Sequence, residues 1–184
     1  MSSIETHPLF LAQLKRHEGE RRDKVGRHVA YKCPAGKLTI GWGHNLDANP
    51  VPRDWFSDGE KAKVGSVITN ATAEELLKAD VSGCARELAL HFYVWREIEE
   101  PRQAVLLNMC FNMGWKSLSG FKGMLKAVKE RSWRAAASEM QDSRWFTQVK
   151  GRGKELSLQM YLGQWIGADG KPLRVIDEEV GDAS

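Results

Sequence analysis

The chain has 184 residues, 42% of them hydrophobic and 28% charged, with a formal net charge of +3. This is an ordinary balance for a soluble globular protein, long enough for one good core or for two small lobes sharing a helix. The mild positive charge favours approach to an anionic polymer, without choosing between a cell wall and a nucleic acid. Cys33, Cys84 and Cys110 make an odd count with neither paired nor metal-ligand spacing. That argues against a disulfide framework and for folding in a reducing compartment.

The N-terminal stretch "MSSIETHPLFLAQLKRHEGERR" carries only a five-residue apolar run. It is too short for a signal peptide core and far too short to span a bilayer. The same stretch reads as a helix: Thr6 is placed to cap it, Pro8 suits its first turn, and Gly19 suits the position past its end. Leu11, Leu14 and Glu18 share one face at i, i+3 and i+7. Burial against leucines and the negative end of the helix dipole both disfavour the Glu18 anion, as a general acid working near neutral pH requires. Read by itself, though, Glu18 is an ordinary solvated residue at a helix end.

Next comes the one convincing β region. Tyr31 to Cys33 and Lys37 to Ile40 flank Pro34-Ala35-Gly36, a hairpin loop. If Cys33 pairs with Lys37, Thr39 pairs with Tyr31, and Cys33 and Thr39 become diagonal neighbours on one face. Leu38, Ile40 and Trp42 then take the other. Taken alone, Thr39 reads as β-propensity and Cys33 as a small buried hydrophobe. An irregular segment follows, rich in Pro, Asn, Asp and Gly.

The rest is helical. Thr72 with Glu75 forms a capping box opening a long helix to about His91, with a stripe of Leu77, Val81, Cys84 and Leu88. Pro101 starts an apolar, central helix that stops at Gly114. Ser119 and Ser132 are expected to cap two shorter helices, and a last helix covers about Gly153 to Trp165. The polar tail, 167–184, is expected to be flexible. His7, His17, His28 and His91 show no metal spacing and read as solvated or packing residues. Trp133, Trp145 and Phe146 read as core rather than as a stacking platform.

Taken together, "HEG" followed by "YKCPAGKLTIGWGH" resembles the glutamate–aspartate–threonine signature of the phage-type lysozyme family. The likeness continues through "VITNATAEELLKADV", "LLNMCFNMG", "GFKGMLKAVKERSWRAAASEM", "SRWF" and "GQW". The resemblance implies an α+β, mostly α, two-lobed lysozyme-like fold forming one catalytic domain, 1–166. Its small β-containing lobe would span about 19–71. Its helical lobe would span about 92–166 plus the first helix, with the long helix joining the two. Peptidoglycan glycan strands would bind in the cleft between the lobes.

By the same resemblance Glu18 matches the family's general acid, Thr39 its threonine, and Cys33 the second catalytic residue, usually aspartate. His44 matches a histidine that supports the lobe, with Asp80 as its carboxylate partner. Asn112 matches a cleft-lining amide and Arg152 an arginine that contacts the acid from the other lobe. Two features depart from the pattern. The segment from Glu18 to Cys33 is about six residues longer than in the family's T-even form, the excess falling in "RDKVGRHVA". The other is Cys33, since a thiol with a reference pKa of about 8.5 is a poor base at neutral pH. Lys32 and Lys37 are close enough to lower that value, but hairpin lysines usually point to solvent. Should Cys33 only pack, Asp23 and Asp47 become the carboxylates to consider.

The function implied is that of an endolysin: a muramidase cleaving the β-1,4 bond between N-acetylmuramic acid and N-acetylglucosamine, causing host lysis. The alternatives are a lytic transglycosylase giving anhydro-muramic ends and a catalytically weak wall-binding homologue. The expectation includes no metal, no cofactor and no nucleic acid. It places a monomer in the host bacterial cytoplasm until a separate holin-like protein releases it.

Overall fold

A computed structural model describes residues 3–173 and gives an α+β, mainly helical chain. Helix α1 (Pro8–Glu18) has Pro8 in its first turn and ends at Gly19, whose φ is 65°. Its cap is His7 rather than Thr6. A residue before proline is pushed to extended backbone, which is the conformation a cap needs. His7 Nδ1 accepts a hydrogen bond from Leu9 N at 3.2 Å, while the Thr6 hydroxyl donates to the Ser3 carbonyl in a 3-10 turn.

The residues after α1 close on themselves. Asp23 Oδ1 accepts from the Val25 and Arg27 amides at 3.0 and 2.9 Å, and the Arg27 guanidinium pairs with Asp23 Oδ2 at 2.8 Å. This turn leads into β1 (His28–Val29), which pairs antiparallel with β5 (Val67–Ile68). A second sheet runs β2 (Tyr31–Lys32), β3 (Leu38–Ile40), β4 (His44–Asn45), all antiparallel. The hairpin register is the expected one: Tyr31 faces Thr39, and Cys33 N donates to the Lys37 carbonyl at 2.9 Å. Leu38, Ile40 and Trp42 are buried on its apolar face.

Helix α2 (Asn70–His91) begins one turn earlier than the capping-box reading placed it. Thr69 is extended and its hydroxyl accepts from Thr72 N at 3.1 Å, so Thr72 lies inside the first turn. Leu77, Val81 and Leu88 are buried as expected, each contributing about 1.5–3 kcal/mol. Cys84 is only half-buried. Helix α3 (Glu100–Leu118) packs on α2 and breaks at Gly114, whose φ of 75° and ψ of 158° interrupt the helix where the sequence ends it; a further turn follows to Leu118.

The chain divides into two compact units, Met1–Gly120 and Phe121–Ser184. The second holds α4 (Lys122–Lys129), α5 (Trp133–Gln141), α6 (Arg144–Val149) and α7 (Gly151–Leu162). Ser119 caps neither shorter helix: it ends α3, donating to the Lys116 carbonyl, and Phe121 precedes α4. Ser132 does precede α5, but its side chain makes no cap bond. Ser143 caps α6 instead, accepting from Phe146 N at 3.2 Å. The last helix starts at Gly151 and ends at Leu162, earlier than expected at both ends. Gly153 is needed there, because a Cβ would sit 2.9 Å from the Phe146 ring. Of the expected tail, residues 167–173 form a turn tied back by Leu173 N to the Trp165 carbonyl at 2.7 Å. The remainder, 174–184, lies outside the described residues. Among those described, no helix is long and apolar enough to cross a membrane.

Candidate active site

Glu18 is the last residue of α1, half-buried, and its carboxylate lies against the backbone of Gly43. Gly43 has φ +89°, and a Cβ built on it would sit 3.2 Å from Glu18 Oε2 and 3.9 Å from the Phe111 ring. The glycine after Trp42 thus opens room for the Glu18 carboxylate, and Phe111 of α3 borders the same space. Sequence reading missed both contacts, although "GWGH" lies within the motif it singled out.

On the hairpin, Thr39 is buried and its hydroxyl donates to the Lys37 carbonyl at 3.1 Å. Cys33 lies diagonally across, half-buried, with its thiol in hydrogen-bonding reach of the Thr39 hydroxyl. Desolvation pushes this thiol up. Hydrogen bonds from the backbone at Lys37 and Ala35, and from the Thr39 side chain, outweigh it and bring the thiol below its ordinary value. The cause is not the lysines: Lys32 and Lys37 are exposed, as expected of a hairpin. A hydroxyl has one proton, so Thr39 donates either to the Lys37 carbonyl or to a thiolate, and it stabilises the thiolate by turning from one to the other.

Tyr31 stands opposite Thr39 and links the two sides of the site. Burial raises its phenol above the ordinary value; Arg21 opposes this, while the charges of Cys33 and Glu18 add to it. The phenol therefore stays neutral and can donate. The Arg21 guanidinium stacks on the same ring, 4.5 Å from its centre. Neither residue was anticipated, although the register that pairs Tyr31 with Thr39 was the signal available for one of them.

His44 and Asp80 meet: Nδ1 lies 2.8 Å from Asp80 Oδ2, and Nε2 lies 2.8 Å from the Asn49 carbonyl. Burial lowers the imidazole, but the Asp80 hydrogen bond and charge, with the Asn49 carbonyl, carry it above its ordinary value. The pair ties β4 to α2. Asp47 and Asp23, the reserve carboxylates, are engaged by backbone donors: Asp47 Oδ2 accepts from Leu38 N at 2.8 Å, and Asp23 closes its own turn. Asn112 is exposed on α3, two residues before the break at Gly114. Arg152 is buried on α7 of the second unit. His28 packs edge-on against Trp42, with ring centres 4.6 Å apart, and His7 caps α1, so both serve local structure.

A cavity of about 440 Å³ opens beside Gly43, lined by Asp80, Cys84, Cys110, Phe111 and Trp115. Another, of about 570 Å³, lies within the second unit between Arg134, Gln141, Lys154 and Tyr161 and contains none of the candidate residues. Of the candidate residues Asp80 alone lines the first, and Glu18, Cys33 and Thr39 line neither.

Comparison with known proteins gives the chain's family. Residues 16–159 match the phage lysozyme family. The chain is 32% identical over 155 residues to the pre-baseplate central spike protein Gp5 of Enterobacteria phage T4, covering 78% of this chain but only 27% of that protein. It is 30% identical to the probable T4-type lysozyme 2 of Dictyostelium discoideum, covering 78% of this chain and 88% of the relative. It is 26% identical to an endolysin of Acyrthosiphon pisum secondary endosymbiont phage 1, covering 80% and 84%. The chain belongs to the phage lysozyme family, and its function is of the peptidoglycan-cleaving lysozyme type.

Proposed function

We propose that residues 1–166 act as one catalytic domain that hydrolyses the β-1,4 bond between N-acetylmuramic acid and N-acetylglucosamine. Glu18 protonates the leaving oxygen. Thr39 and Cys33 hold and polarise the attacking water, with Tyr31 beside them. Asn112 and Arg152 bind the glycan, and His44 with Asp80 keeps the hairpin in place. The observation that carries this reading is the shared face of Cys33 and Thr39, with Tyr31 within electrostatic reach of both Cys33 and Glu18. As an endolysin the protein acts as a monomer, held in the host cytoplasm until a holin-like protein opens the inner membrane, and lyses the host.

A cysteine where an aspartate is usual favours one second reading. A lytic transglycosylase needs the acid but no base for water, and at neutral pH a cysteine has far less of its ionised, proton-accepting form than an aspartate. Mass analysis of digested peptidoglycan separates the two. Reducing muramic ends support hydrolysis, anhydro-muramic ends support the transglycosylase, and uncleaved glycan overturns both.

A further inference from the structure

Cys84 on α2 and Cys110 on α3 line the same cavity and are both free thiols. Their sequence separation of 26 hides what the packing of α2 on α3 creates. The Cys110 thiol lies 3.8 Å from the Cys84 carbonyl, and the two side chains are within hydrogen-bonding reach of each other. Cys84 is half-buried at the cavity wall, while Cys110 is 1% exposed behind it. Neither takes part in the chemistry at Glu18.

We propose that Cys84 and Cys110 are an oxidisable dithiol, closing into a disulfide that links α2 to α3 when a small-molecule disulfide enters the cavity. In the first step Cys110, as thiolate, takes the proton of the Cys84 thiol, and the Cys84 sulfur attacks one sulfur of the oxidant. A mixed disulfide forms and one thiolate leaves. Cys110 then gives that proton to the released thiolate and attacks the Cys84 sulfur, forming the intramolecular bond and expelling the second thiolate. The two protein thiols lose two protons and two electrons, and the oxidant is reduced to two thiols. The hydrogen bond between the sulfurs assists the first step. It pulls Cys110 below the ordinary thiol value and pushes Cys84 up, so the pair gives up one proton more readily than the other and keeps a single thiolate between two sulfurs. Cys33 stands apart on the hairpin and has no second thiol near it; with the same reagent it forms only an adduct.

The test is to treat the reduced full chain with oxidised glutathione and to map its peptides by mass without reduction. The expected product is a Cys84–Cys110 cross-linked pair, lighter by two hydrogens, with glutathione on Cys33 alone. Cys84→Ser and Cys110→Ala variants should each lose the cross-link, and the Cys110→Ala variant should instead accumulate glutathione on Cys84. The oxidised chain should also melt at a higher temperature than the reduced one, and the difference should vanish in either variant. Separate adducts on Cys84 and Cys110 in the unsubstituted chain, or no change at either, would overturn the proposal. So would a cross-link involving Cys33.

Discussion

The backbone of Gly43 passes so close to Glu18 that a β-carbon added there would lie 3.2 Å from the carboxylate Oε2. Two costs fall on Gly43→Ala: the φ of +89° strains any L-residue, and the added methyl displaces the acid. The variant should lose about 1–2 kcal/mol of stability. Its activity at a temperature where it remains folded should fall further than that loss explains. Lysis assays paired with thermal melts check this; activity that follows the folded fraction alone rejects it.

Glu18→Gln removes the proposed proton donor while keeping the shape that Gly43 accommodates. Turnover should drop by about 10²–10⁴-fold or more, with the melting temperature nearly unchanged. Wall-clearing at a rate near that of the unsubstituted protein would show that the acid lies elsewhere.

Cys33 should behave as a polar group that positions water, and as a base in its thiolate fraction. Cys33→Ala should lower the rate clearly, Cys33→Asp should keep or raise it, and alkylation should block the site. The thiol is held below its ordinary value, so an activity limb that rises with pH should begin lower than for a free thiol. That limb should disappear in Cys33→Ala. An Ala variant with an unchanged pH–rate profile would reduce Cys33 to packing.

Asp80→Asn tests the bridge between β4 and α2. His44 is 7% exposed in its side chain and Asp80 26%, so the loss should be about 2 kcal/mol, below that of a fully buried pair. The sign of its pH dependence follows from His44, whose folded pKa lies above the unfolded value. Such a group adds stability fully present below about pH 6.5, which is lost as pH rises through the folded value. The gap between the parent chain and Asp80→Asn in urea melts should therefore be widest near pH 5–6 and narrow in alkaline buffer. A gap that widens with pH contradicts the assignment.

Thr69 and Thr72 stand three residues apart, and only one of them caps α2. Thr69→Ala should cost about 1 kcal/mol and Thr72→Ala a few tenths, read from chemical denaturation. Equal losses would mean that both hydroxyls contribute alike.

That pair also shows where sequence reading succeeds and where it stops. The hairpin register was legible because a Pro-Ala-Gly turn and strict alternation leave one pairing that buries Leu38 and Ile40. The start of α2 was not, because two threonines at a turn's spacing both satisfy a capping rule, and the choice depends on which backbone is extended. Pairing of His28–Val29 with Val67–Ile68 was invisible for a different reason. Strands of two residues carry no periodicity, and the partners are far apart in the chain. In the candidate site, the face shared by Cys33 and Thr39 came from spacing alone. The His44–Asp80 contact came only with the family likeness, since nothing in helical periodicity pairs a hairpin histidine with an aspartate on α2. The Gly43–Glu18 approach and the Arg21–Tyr31 stack needed three dimensions.

The strands that carry Thr39 and His44, and the strand that Cys33 follows, are two or three residues long. So few ladder bonds cannot hold a sheet by themselves, and the hairpin keeps its shape through side chains reaching other elements, His44 to α2 and Asp47 back to Leu38. Such a segment opens as a local unit, at a free energy below that of the helices. Amide hydrogen exchange in the hairpin should then report fluctuations that leave α3 intact. Warming should then open the Cys33–Thr39 half of the site while the helical signal persists, so that the short hairpin would set the thermal ceiling of activity.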